Sequence, residues 1–151
     1  PSAQVVALEV DTGNFSVLME NARPYRNLCC LRKALWCTSG YVRIRDSTVE
    51  PNAYQVVLAS SHEPGAIEAT TVADLLLQFE VAQADLVKVD IEGAEIEVMS
   101  TASSWLPSVR MLAIETHDRM RPGCTAALEL ATRNFPHSRS QHGEYEVLVF
   151  E

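Results

Sequence analysis

Asp85-Leu86-Val87-Lys88-Val89-Asp90-Ile91-Glu92-Gly93-Ala94-Glu95 is the stretch from which the rest of the chain is read. A short apolar run ends abruptly in acid at Asp90, as a buried strand does at the edge of a sheet. Gly93 permits a tight turn into a helix that carries Ala94, Val98 and Met99. Three carboxylates, Asp90, Glu92 and Glu95, fall within six residues. Asp90 and Glu92 are expected at a ligand-facing edge, and Glu95 about one turn into the helix. Crowded acids resist simultaneous ionisation, so one of them can hold a raised pKa and act as a base. The plainer reading is that acids near a helix N-terminus complement its dipole.

Working outward, the same alternation of strand and helix recurs. Val5 to Leu8 reads as a buried strand ending at Glu9. Phe15, Leu18, Met19 and Ala22 follow on one helical face, capped by Asp11 or Thr12. Leu28 to Leu35 reads as a second strand. Tyr41 to Arg45 and Tyr54 to Leu58 alternate like a small hairpin insertion. Thr71 caps a helix with Val72, Leu75, Leu76 and Phe79 inward, and Val109 to Glu115 is a further strand. Pro122 suits the first turn of a helix that buries Cys124, Ala127, Leu128, Ala131 and Phe135. Tyr145 to Phe150 closes the chain as a strand, paired with residues 137–142 across a turn at Gly143. This order predicts an α/β fold with a mostly parallel sheet, in one domain spanning residues 1–151.

In such sheets ligands sit beyond the carboxyl ends of the strands, and three strands here end in acid: Glu9, Asp90 and Glu115. Glu9 suits the ribose hydroxyls of a nucleotide-like cofactor, because one carboxylate matches two vicinal hydroxyls. A solvated acid leading into a helix would look the same. His117 can accept a proton near neutral pH, or it is a surface histidine beside Asp118. His62, His137 and His142 lie in loop-like sequence and are expected in solvent. No histidine pair has metal-site spacing, so no histidine-based metal site is expected. An oxygen-ligand site for Mg²⁺ or Ca²⁺ at Asp90, Glu92 and Glu95 is a further alternative.

Bulk properties exclude several classes. The 151 residues are 47% hydrophobic, enough for one core, and 12 basic against 20 acidic residues leave a formal charge of −8. That balance argues against nucleic acid or anionic membrane as the main partner. No apolar run approaches the roughly 18 residues of a membrane span, and no signal peptide is recognisable. Cys29, Cys30, Cys37 and Cys124 form no C-x-x-C pair, which predicts buried, reduced thiols in a cytoplasmic protein.

VKVDIEGAE (87–95) resembles the signature of FkbM-type methyltransferases. VVALE with the later NF..L..N (5–21), KALW...G (33–40), TTVADLL (70–76) and IETHDRMRPGC (114–124) resemble that family in the same order. The resemblance implies a Rossmann-like class I methyltransferase sheet, S-adenosylmethionine as donor, and a small-molecule acceptor bearing a hydroxyl on a sugar or secondary metabolite. Carried over by position, it implies that Glu9 binds the cofactor ribose and that Ala34 and Leu35 border the adenine. It also implies that Asp90, Glu92 and His117 face the acceptor hydroxyl.

The chain departs from the family at its start. A first strand and a D-x-G-x-N-x-G-type loop normally precede VVALE, and the Pro that usually follows the ribose-binding Glu is Val10 here. The opening Pro1, followed so soon by a strand, reads as a truncation. The missing strand would lie between those at 5–9 and 85–90, so those two are expected to pair directly or with a second chain. The competing functional reading is a catalytically silent fragment or interaction module that keeps the fold without binding the donor.

Overall fold

A computed structural model describes residues 3–44 and 56–151 of the chain. Among these residues ten strands and four α-helices follow in order: β1 (Val5–Leu8), α1 (Thr12–Ala22), β2 (Leu28–Leu31), β3 (Ala34–Leu35), β4 (Gly40–Ile44), β5 (Val56–Ala59), β6 (Ile67–Thr70), α2 (Val72–Gln78), β7 (Val87–Val89), α3 (Glu95–Ser100), β8 (Met111–Ile114), α4 (Cys124–Thr132), β9 (His137–His142) and β10 (Tyr145–Phe150).

The strands form three sheets, not one. β1 pairs in parallel with β2; β7-β8-β10-β9 and β3-β6-β4-β5 are four-stranded. Among the described residues three strand pairings are parallel, β1 with β2, β3 with β6 and β7 with β8, and four are antiparallel. The mostly parallel sheet expected from the alternation is therefore corrected to mixed sheets. The antiparallel pairs centre on two strands: β4 takes β5 and β6, and β10 takes β8 and β9. Leu28 to Leu35 is likewise two strands, because the chain leaves β2 after Leu31 and re-enters pairing in another sheet at Ala34. Arg45, Tyr54 and Gln55 of the expected hairpin lie outside the described residues.

Two of the four α-helix starts follow their local chemistry. Asp11 caps α1 by accepting from Asn14 N at 2.8 Å, and Thr71 caps α2 by accepting from Asp74 N at 3.0 Å. α4 begins later than its proline suggests: Gly123 is its N-cap at φ 108°. Its first amides are held from a distance, with Asp118 accepting from Gly123 N at 2.8 Å and Thr125 N at 2.9 Å. Met19, expected on the buried face of α1, is 46% exposed, while Ala22 is buried.

The main core gathers Val89, Val98, Met99, Trp105, Leu106, Leu112, Ile114, Leu128 and Leu148 between the β7-β8-β10-β9 sheet and α2, α3 and α4. A second cluster, Trp36, Val42, Ile67, Ala69 and Ala94, sits under the β3-β6-β4-β5 sheet. Ile91 packs against both, so the turn after β7 joins the two cores.

Direct pairing of β1 with β7 does not occur. Among the described residues β1 has only β2 alongside, and β7 only β8, which leaves one edge of each without a strand. No residue of β1 is buried, so water can satisfy its open amides and carbonyls.

Candidate active site

A cavity of about 480 Å³ opens where the ends of β1, β3 and β7 converge. Its lining includes Glu9 and Val10 after β1, Ala34 and Leu35 of β3, and Asp90, Ile91 and Glu92 after β7. Five of the six residues expected at a site therefore share one cavity. The sixth, His117, is not in its lining: it lies behind Asp90 and Glu92, 6% exposed.

Glu9 Oε1 accepts from Asp11 N at 2.8 Å, which ties the carboxylate to the start of α1. Oε2 makes no hydrogen bond among the described residues. The turn after β7 is strained at Glu92, a non-glycine residue at φ 53°. Gly93 follows at φ 96°, and a Cβ there would stand 3.2 Å from Arg121 Cβ. Arg121 closes this turn from outside, donating to Gly93 O at 3.1 Å and to both oxygens of Glu97 at 2.6 and 2.7 Å.

Asp90 Oδ2 accepts from Tyr145 Oη at 2.6 Å and from Lys88 Nζ at 3.1 Å. Partial burial pushes the Asp90 carboxyl up, but those donors and the Lys88 charge outweigh it and hold it below the usual range. Glu92 moves the other way: burial, followed by the neighbouring Asp90, Glu115 and Glu95 charges, raises it despite the opposing pull of His117.

Glu95 does not face the ligand edge. It is the first residue of α3, fully buried, and its Oε1 lies 2.7 Å from His117 Nδ1. Oε1 also accepts from Gly93 N at 3.2 Å. An ionised Glu95 can only accept, so Nδ1 is the donor. His117 Nε2 faces Glu92 Oε2 at 3.4 Å, Glu115 Oε1 at 3.4 Å and Asp90 Oδ1 at 3.8 Å. Burial lowers the proton affinity of this imidazole, but the Glu95 bond and the surrounding carboxylates more than reverse that, leaving its pKa above the ordinary histidine value. His117 is thus neither a surface residue nor paired with Asp118, which is occupied in capping α4.

The Methyltransferase FkbM domain matches residues 36–148. The chain belongs to the FkbM methyltransferase family. It is similar to the hexuronic acid methyltransferase AglP of Haloferax volcanii, 31% identical over 121 residues, which covers 80% of this chain and 50% of that protein. The chain thus spans half the length of that curated relative. No solved structure matches.

Within this family member, sequence reasoning did not find three parts of the site. Tyr145 reaches Asp90 from the last strand, 55 positions away, with no local signal. Glu115 was recognisable as a strand-ending acid, yet its proximity to His117 needed the β7-β8 register. Glu95 is expected about one turn into the helix, and its burial against His117 depends on α4 packing over α3. Two lesser expectations are also corrected. His137 is half-buried, with Nδ1 2.7 Å from Phe135 O, and only Cys124 of the four cysteines is fully buried. No helix among the described residues is long and apolar enough to cross a membrane.

Proposed function

We propose that this chain carries the core of an S-adenosylmethionine-dependent O-methyltransferase acting on a hydroxyl of a sugar or secondary metabolite. The observation that carries the reading is the single cavity onto which Glu9, Ala34, Leu35, Asp90 and Glu92 converge. Its volume lies in the range usual for small-molecule sites. The free Glu9 oxygen suits a ribose hydroxyl, and Ala34 with Leu35 offers an apolar wall for a base. The sugar-acid methyltransferase among the relatives supports a small sugar-like acceptor.

Bound in this cavity, the donor would supply an electrophilic methyl group to the acceptor oxygen and leave as the neutral thioether. Glu92 is the residue placed to take the hydroxyl proton: it lines the cavity and makes no hydrogen bond among the described residues. Asp90 is committed through Oδ2 to Tyr145 and Lys88, and is better suited to orient the acceptor by accepting from a second hydroxyl. His117 stands behind these carboxylates, with Nε2 3.4 Å from Glu92 Oε2 and 3.8 Å from Asp90 Oδ1. The four free thiols suit a reducing, cytoplasmic compartment.

Calorimetric titration of the chain with S-adenosylhomocysteine tests the reading. Saturable binding, weakened at least about tenfold by Glu9→Gln through loss of a charge-assisted hydrogen bond, is expected. A folded sample that takes up no ligand overturns donor binding by this chain.

A further inference from the structure

His117 has one nitrogen committed and one left over. Nδ1 is held by Glu95 at 2.7 Å, whereas Nε2 makes no hydrogen bond among the described residues although the side chain is 6% exposed. That nitrogen points into a group of carboxylate oxygens supplied by the ends of two adjacent parallel strands, β7 and β8. We propose that Asp90, Glu115 and His117 bind one divalent cation of the first transition row, of the manganese or zinc type.

The distances fit such an ion. One donor atom from each of the three residues lies within 4.8 Å of the others. Nε2 stands 3.4 Å from Glu115 Oε1 and 3.8 Å from Asp90 Oδ1. A tetrahedral ion with bonds of about 2.0–2.1 Å sets its ligands about 3.3–3.4 Å apart, so only small side-chain movements are needed. The supporting contacts fit as well. Ligating histidines commonly donate their other N–H to a carboxylate, the part Glu95 plays, and ligating carboxylates are themselves hydrogen-bonded. Tyr145 and Lys88 both hold Asp90 Oδ2, which leaves Oδ1 toward His117. One imidazole with two carboxylates suits a borderline ion better than Ca²⁺ or Mg²⁺, which prefer all-oxygen shells. Spacing motifs miss this site because its donors come from separate strand ends, and Glu95 supports the histidine and does not ligate. The proposal goes beyond methyl transfer and does not depend on it.

The test is titration of chelator-treated protein with Mn²⁺, followed by electron paramagnetic resonance. A single Mn²⁺ per chain is expected, with hyperfine coupling to a histidine nitrogen, displaced by Zn²⁺ but not by equal Ca²⁺. Glu115→Gln and His117→Gln should each weaken uptake at least about tenfold, and Glu95→Gln, through a positioning residue, about 10- to 100-fold. Absence of uptake by the folded chain overturns the site, as does uptake without nitrogen coupling. Equal uptake by folded Glu115→Gln also overturns it, because the ion then lies elsewhere. The nitrogen coupling in the unmodified chain keeps the test decisive if a variant fails to fold. Titrating the same sample with S-adenosylhomocysteine reports separately on the methyl donor.

Discussion

Glu95 Oε1 and His117 Nδ1 stand 2.7 Å apart in the interior, where Glu95 has no exposed surface and Oε2 has no hydrogen-bond partner. The pair joins the start of α3 to the segment after β8. Desolvating a carboxylate this completely is tolerable only while its partner is present. Glu95→Ala is therefore expected to destabilise the chain by about 3–5 kcal/mol, because it breaks the buried pair and leaves His117 Nδ1 without its acceptor. Urea unfolding checks this. A loss under about 1 kcal/mol would show the pair to be dispensable.

Gly93 is the hinge of the ligand-edge turn. At φ 96°, with Arg121 Cβ 3.2 Å from where its own Cβ would lie, it leaves no easy place for a side chain. Gly93→Ala should cost about 1–2 kcal/mol in urea unfolding from the left-handed backbone alone. It should also displace Glu92, so ligand binding should fall by more than the stability loss explains. An unaltered midpoint would refute the strain assigned to this turn.

Cys124 is expected to be chemically silent. Burial first, and then the Glu95 carboxylate, push its thiol up to about 12, so almost no thiolate exists near neutral pH. Alkylation of native protein by iodoacetamide, read by mass spectrometry, should label the half-buried Cys29, Cys30 and Cys37 before Cys124. Early labelling of Cys124 would mean that α4 opens readily.

Asp74 ties α2 to the segment between β3 and β4. Ser39 donates to its carboxylate, and Thr71 at the N-cap bonds it as well, which together hold it below its ordinary 3.8. A depressed folded pKa means that the carboxylate stabilises the fold above 3.8, and that this is lost as pH falls through the folded value. Acid unfolding followed by circular dichroism should show Asp74→Asn less stable than the unmodified chain near neutrality. The two should converge below that window, and a constant gap at every pH would remove the charge from the explanation.

Much of the fold was legible because local chemistry settled it. The caps at Asp11 and Thr71, the apolar faces of α2 and α3, and the turn at Gly143 between β9 and β10 follow from nearest neighbours in sequence. Errors arose where a partner decides. Alternation of strands and helices cannot reveal that β3 leaves the sheet of β2, or that β8 takes β10 on its other edge. The start of α4 is set by Asp118, five residues before Gly123, which overrode the proline signal.

By itself the sequence determined that Glu9, Asp90 and Glu92 are acids ending or following apolar strands, and the family to which the chain belongs. Only the tertiary structure decided what surrounds each acid. Glu95 and Glu92 are three positions apart and identical in type, yet one is sealed under α4 against His117 and the other lines a cavity. Tyr145 and Lys88 draw Asp90 away from Glu92 in proton affinity, and Tyr145 comes from the far end of the chain. The physical reason is range. Secondary structure answers to neighbours a few residues away, whereas burial and charge answer to whatever folding brings within a few ångströms.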